Sequence, residues 1–493
     1  MKNRKRLFNV LLFIFIILVL FIPLSFCVYN ISPILFVIII ILVFILFKSK
    51  LKIKGKKIIT KFKNHYSLII FLIALILRVG IVLLLSKNIT QTSDFATALN
   101  SASLMDFTSD YHRVFTHWIL YPVIINGIFK IFGSSQMTAL LFNAIILSIC
   151  AVLMYLISLK IIKNKNISFI STLIYIFWPA NLFYVLIFTP EHICQLLLLL
   201  SINLFFSMED KFNLNNIKNK LSAFILCIII GICLGLSTFF KNFAPVIIIS
   251  IAIYFIMNDL KNKVLFKDIL LQFSKFIIII LIFSGTRFLT FKYLDNLATH
   301  KVIRNVAPCY LNGGLKGQGT YNYEYYNEYF TKLKEYNYNN TKTNSYILKE
   351  LKNHYLITEN IGYYFQLFKS KLNILFGGDT ARISWIHQSF NDKNDKIAKN
   401  ISRYSMKSLN EIFYINISFL MLMGLIYLWN SKNLRLFLLY LIVYGSSLML
   451  LLVEAQNRYM YAIQPLFSIL SGAGIYIILK IIKNKKNIKK YLV

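Results

Sequence analysis

The strongest constraint on this chain is a series of long apolar runs, about twelve in number. They fall at about 7–28, 31–47, 66–86, 136–159, 167–186, 190–208, 221–239, 243–257, 269–291, 411–429, 434–453 and 459–479. A helix needs about 20 apolar residues to cross about 30 Å of hydrocarbon. In lipid every backbone polar group must be satisfied within its own segment, so such runs predict an all-α polytopic membrane protein. Composition agrees, with 57% hydrophobic and 15% charged residues. The first run follows basic Met1–Arg6 but exceeds a signal-peptide core. No small-x-small site closes it and a second run follows at once, so it reads as a retained anchor.

The formal charge of +35 would suggest nucleic acid in a soluble chain. Here its placement matters more. With a cytoplasmic N-terminus, the inner segments hold 29 Lys and Arg, whereas the short outer turns hold only Lys241 and Arg458. That asymmetry predicts a multi-pass protein of the cell membrane with both termini cytoplasmic. The inner basic segments face anionic lipid headgroups, and no nucleic acid partner is expected. Phe115–Phe132 is apolar but contains His117, Pro122 and Lys130, and counting it as a span would reverse every later loop. It is expected to lie at the outer surface.

Four regions follow. Residues 1–65 carry two transmembrane helices and a basic cytoplasmic loop, and residues 66–291 a transmembrane core with a first outer loop at 87–135. Residues 292–410 form a large extracytoplasmic loop region, and 411–493 three further helices with a basic tail. The Tyr/Asn-rich stretch 321–340 offers aromatic faces for sugars, although the same residue types abound along the chain. Ser345–Phe376 suggests an amphipathic helix or helix pair. No internal repeat is visible, which disfavours a secondary transporter. Cys27, Cys150, Cys194, Cys227 and Cys233 lie in apolar runs and only Cys309 in a polar segment, so no disulfide framework or structural zinc site is indicated.

Ionisable groups in or beside spans are costly, which makes them functional candidates. Nearly all face the outer side: Asp94, Asp106, Asp110 and His112 in the first outer loop, Glu191 and His192 at a span start, Lys241 at a tight turn, Glu454 and Arg458 at the last turn. Carboxylates and cations on one face fit a reaction in which an anionic lipid-linked group is bound by cations while a carboxylate activates a hydroxyl. Plainer roles compete. Asp94 could cap a helix after Ser93, Glu191 could serve a helix dipole after Pro190, Lys241 and Arg458 could snorkel to headgroups, and Arg78 could pair with a nearby carboxylate.

Four segments, LRVGIVLLLSKNITQTSDF, FTHWILYPVIINGIFKIFGSS, IYIFWPANLFYVLIFTPEHICQLLLLLS and EAQNRYMYAIQPLFSILSGAGI, occur in that order. In order and spacing the chain resembles, over about residues 66–480, the C-type (GT-C fold) polyprenyl-phosphate-sugar-dependent glycosyltransferases. These include glycosyltransferase family 39, the protein O-mannosyltransferases and the aminoarabinose transferases. The resemblance implies a GT-C-like fold and a membrane glycosyltransferase that moves a sugar from a polyprenyl-phosphate donor to a cell-envelope acceptor at the outer face, with inversion. The acceptor class stays open among polysaccharide, teichoic acid, glycolipid and protein.

It also implies a catalytic base at Asp94, a second acid at Glu191, and a closing motif on Glu454, Arg458, Tyr459 and Pro465. Lys241 and Arg458 are the candidates for the lipid phosphate, with Glu454, Tyr459 and His117 as further substrate-binding residues. Two departures stand out: Asp94 is followed by Phe95 rather than by a second acid, and the surface helix reads THWILYP rather than carrying a His-Pro-Pro element. Related C-type enzymes use a divalent cation, but the acids here are scattered and no obligatory metal or other cofactor is expected. An envelope-polymer polymerase or ligase, using Arg78, Arg287 and Arg458, and a lipid or polysaccharide exporter are the alternatives.

Overall fold

The computed structural model describes residues 7–17, 65–212, 217–262, 266–353, 361–376, 378–390 and 406–491. The described chain is helical, with one isolated antiparallel bridge between Ile89 and Phe390. Nine of its helices are long and apolar enough to cross a membrane, and up to ten if one bent pair counts as a span. The expected second span, 31–47, lies outside the described residues, and of the first only Leu7–Ile17 is described.

The spanning helices form one packed bundle. α1 (Tyr66–Leu85) is followed at one end of the bundle by α2 (Ser93–Leu104) and α3 (His117–Phe132), and the chain returns through α4 (Gln136–Ile162). α5 (Lys165–Phe177), α6 (Glu191–Phe212), α7 (Ile217–Ser237), α8 (Ala244–Asn262) and α9 (Phe266–Leu297) follow. α4 packs against α1, α5 and α6; α6 against α7; and α7 against α9. α3 is short, contains Pro122, and buries Trp118, Ile119, Tyr121 and Ile125 while leaving Ile131 and Phe132 exposed.

The run expected as a single span at 167–186 is instead two helical pieces, Lys165–Phe177 and Pro179–Leu186, bent by 62°. Pro179 is the cause: a proline disfavours helical backbone in the residue before it, and Trp178 is extended at ψ 114°. The side-chain oxygen of Asn410 accepts from the Ala180 amide at 3.0 Å and from Trp178 Nε1 at 3.1 Å, satisfying donors that the break would orphan.

The region 292–410 contains α10 (Tyr323–Glu335), α11 (Ile361–Phe376) and α12 (Thr380–Ser389), with further helices at Ala307–Leu315 and Asn340–Leu351. It makes a second apolar core around Ile303, Cys309, Tyr326, Tyr329, Leu333 and Ile347, joined by Val114 of the first outer loop. The Ile303 amide donates to Arg113 O at 2.8 Å, Lys334 pairs with Asp110 at 3.1 Å, and Thr90 donates to Ser389 O at 2.8 Å. The segments 87–135 and 292–410 therefore pack as one unit. α13 (Lys407–Ser431), α14 (Leu434–Leu452) and α15 (Pro465–Tyr491) complete the chain, with α15 against α13 and α5.

Candidate functional site

Asp94 sits in the first turn of α2, but Thr92 is the capping position and makes no side-chain capping bond. Asp94 is therefore not the cap. Its neighbour Ser93 has φ of 53°, a left-handed conformation that costs a non-glycine residue about 1–2 kcal/mol. Asp94 Oδ1 accepts from the Tyr111 hydroxyl at 2.9 Å, and Oδ2 lies 3.5 Å from Arg458 Nη2. Its side chain remains 33% exposed.

Glu191 opens α6 beneath Tyr184 and Thr189, whose hydroxyls reach Oε2 at 3.4 and 3.1 Å. Oε1 lies 3.5 Å from Lys241 Nζ. Lys241 projects from the tight turn between α7 and α8, held where its amide donates to Ser237 O at 3.0 Å. The ammonium lies 3.6 Å from the centroid of the Tyr459 ring, a cation–π contact. Burial and the nearby Arg458 pull the Lys241 pKa below the usual lysine value, against the opposing pull of Glu191.

Arg458 and Tyr459 lie on a short 3-10 helix, Asn457–Ala462, after the Glu454 turn. The Arg458 guanidinium is over Phe95 and Trp385 at 5.3 and 5.0 Å; burial pulls its pKa down, but Tyr459, Glu191, Tyr184 and Asp94 outweigh burial and push it above the usual arginine value. Glu454 is only 1% exposed and takes hydrogen bonds from Tyr459 at 2.8 Å, from Tyr326 and from Gln456. It is a hub for the turn. His117, half-buried at the start of α3, stacks near Phe115 and Trp118. Burial, then the charges of Lys241 and Arg458, press its pKa well below the ordinary histidine value, so the ring is neutral.

The candidates Asp94, His117, Glu191, Lys241, Glu454, Arg458 and Tyr459, drawn from separate segments, thus gather in one polar cluster. Arg78 is placed differently. It is buried in α1, donates to Ala74 O at 3.3 Å and faces the Tyr175 ring, and among the described residues no carboxylate pairs with it. Arg287 lies against Phe283 and Phe291, away from the cluster's ion pairs. Among the described residues no group of three His, Cys, Asp or Glu could hold a metal ion. The oxygens of Asp94 and Glu191 are engaged by Tyr111, Arg458 and Lys241.

Sequence reasoning missed three supporting groups. Arg382 is fully buried, pairs with Asp379, donates to Asn181 and lies 5.2 Å from the Tyr461 ring. Lys371 is buried and gives its ammonium to the carbonyls of Gly314, Leu451 and Val453 at 2.8, 2.5 and 2.7 Å. Tyr111 orients Asp94. Only the charge of Arg382 and Lys371 inside outer-side helices could have flagged them.

Residues 116–286 match the family model for dolichyl-phosphate-mannose-protein mannosyltransferases. The matched segment carries His117, Glu191 and Lys241, while Asp94, Glu454 and Arg458 lie beyond its ends. Among solved structures, the archaeal oligosaccharyltransferase AglB from Archaeoglobus fulgidus, in complex with an inhibitory peptide and a dolichol-phosphate, is similar at a TM-score of 0.48 and 12% identity. The match covers 87% of this chain and 52% of that one, so this chain spans about half the length of that protein. No curated protein sequence matches the chain.

Proposed function

We propose that the chain moves a sugar from a polyprenyl monophosphate to an acceptor hydroxyl at the outer face of the cell membrane, with both termini in the cytoplasm. The orientation is supported by the excess of Lys and Arg in the inner segments. The acceptor oxygen attacks the anomeric carbon as the bond to the phosphate oxygen breaks, the electron pair stays on the phosphate, and the acceptor proton passes to Asp94. A single displacement of this kind inverts the anomeric centre.

The observation that carries the reading is the contrast among the three carboxylates. Glu454 is saturated by three donors and Glu191 by two hydroxyls and Lys241, whereas Asp94 is held by Tyr111 and Arg458 yet stays one-third exposed. A general base must reach the proton it takes, and Asp94 is the carboxylate of the cluster best able to. Lys241 and Arg458 supply positive charge for the departing phosphate. Glu191 then holds Lys241 in place, Glu454 and Tyr459 hold the turn that presents Arg458, and neutral His117 can donate a hydrogen bond without adding charge. No metal step is written into the reaction.

The test is transfer of radiolabel from a panel of polyprenyl monophosphate sugars to membrane acceptors by the purified chain and by Asp94→Asn. Loss of a general base costs about a hundredfold or more, so transfer should fall by that amount in a variant that still binds donor. Wild-type rates in Asp94→Asn would remove Asp94 as base and promote Glu191. Absence of transfer by the wild type from every donor would favour the polymerase or exporter alternatives.

A further inference from the structure

Beside the cluster one aromatic face is left open. Tyr321 is 56% exposed, and its ring stacks on Tyr326 with centroids 5.2 Å apart and planes 29° from parallel. One face is thus backed and the other is free. Tyr326 in turn gives its hydroxyl to Glu454, so the backing ring is fixed to the same turn that presents Arg458. Tyr323, two residues on, is 69% exposed.

The loop that carries Tyr321 is anchored rather than loose. Gly317 and Gly319 adopt φ of 55° and 69°, a region open to glycine. The Ala455 amide donates to Gly319 O at 2.8 Å, next to Glu454. A Cβ at Gly319 would meet Lys371 Cδ at 2.7 Å, and the Lys371 ammonium binds Gly314 O and Val453 O, lacing the loop, α11 and the end of α14 together. On the far side, Asn322 accepts from the Glu324 amide at 2.9 Å and caps α10. The ring is therefore held in position before any ligand arrives.

We infer that Tyr321 is a stacking platform for a sugar ring of the acceptor, making the acceptor a saccharide or glycolipid rather than a polypeptide hydroxyl. This rests on the glycosyl-transfer reading above. The negative face of an aromatic ring attracts the C–H edge of a pyranose, whereas it repels a phosphate. A tyrosine offers that face at small entropic cost. A run of rings places the platform on the Asp94 side: Tyr326, which backs Tyr321, lies 6.0 Å from Phe115, Phe115 lies 5.0 Å from Tyr111, and the Tyr111 hydroxyl donates to Asp94. Asp94 is the base that takes the acceptor proton, so a ring docked on Tyr321 lies on the acceptor side of the reaction. Ring hydroxyls can donate to such carboxylates.

The experiment uses the full chain in liposomes with radiolabelled polyprenyl monophosphate sugars. The acceptors are a panel of alkyl glycosides and a Ser/Thr-rich peptide. Tyr321→Ala should raise the glycoside KM about five- to tenfold with a smaller effect on kcat and on donor KM, and Tyr321→Phe, which keeps the face, should restore it. An unchanged glycoside KM in Tyr321→Ala overturns the platform while wild-type transfer leaves the function standing. Transfer to the peptide and to no glycoside does the same. If the wild type transfers from no donor, the function itself fails. The platform is then judged by saturation-transfer NMR of the glycosides: signals lost in Tyr321→Ala uphold it, and equal signals overturn it.

Discussion

Lys241 is held between groups that pull its charge in opposite directions. Burial and Arg458 favour the neutral amine, and Glu191 at 3.5 Å favours the ammonium, with burial the largest effect. If the ammonium binds the donor phosphate, the sign of the pH effect follows. A depressed pKa means that the cation is lost at a lower pH than for an ordinary lysine, so transfer should fall on the alkaline side earlier than lysine chemistry alone would give. Lys241→Arg stays protonated throughout. It should be slower near neutral pH, because the longer guanidinium carries its charge away from the position that Glu191 sets for the ammonium, but its alkaline limb should move to higher pH. A pH–rate profile of kcat/KM for both proteins checks this, and coincident limbs would take Lys241 out of phosphate binding. The candidates of this cluster were legible because a charge beside an apolar run is expensive and therefore conspicuous. Tyr111, Arg382 and Lys371 were not, because their importance lies in which distant groups they meet, and that depends on tertiary packing.

Helix positions followed from the apolar runs, and α1, α4, α6 to α9 and α13 to α15 lie where those runs predicted spans. The exception is the bent pair, which a window of hydropathy cannot distinguish from a straight span; the Trp178–Pro179 step was the available signal. Close helix approach was also hidden. α13 and α15 cross at Gly424 and Gly474, where a Cβ on Gly424 would lie 2.7 Å from Leu470 O and one on Gly474 would overlap Leu420 O. Between membrane helices such small residues take the place that hydrophobic burial has in water. Gly474→Ala should therefore cost about 1–3 kcal/mol through overpacking. Gly80→Ala on α1, where nothing lies within 4 Å of the added methyl, should be neutral or stabilising by up to about 1 kcal/mol. Thermal unfolding of the two variants in one detergent separates them, and equal midpoints would show that the crossing has room to relax.

Taken together, the bundle and the outer unit share their site: Asp94 comes from the first outer loop, Arg458 from the last turn, and Tyr321 from the large loop region. The sequence divided the outer side into two segments because they are far apart in the chain. The Ile303–Arg113, Lys334–Asp110 and Thr90–Ser389 contacts that unite them carry no pattern a single sequence could reveal. One feature of the bundle reaches beyond the protein. α5 has 13 residues before the Trp178 break, a rise of about 20 Å against a hydrocarbon core of about 30 Å. Where lipid meets that helix, the bilayer thins to match it. Acyl-chain length thus becomes a variable of the proposed reaction: transfer in liposomes of shorter-chain lipids should exceed that in longer-chain lipids at equal fluidity. A flat response would mean that neighbouring helices shield α5 from the bilayer. With the predicted preference, membrane thickness would help decide where in a cell envelope such a protein works best.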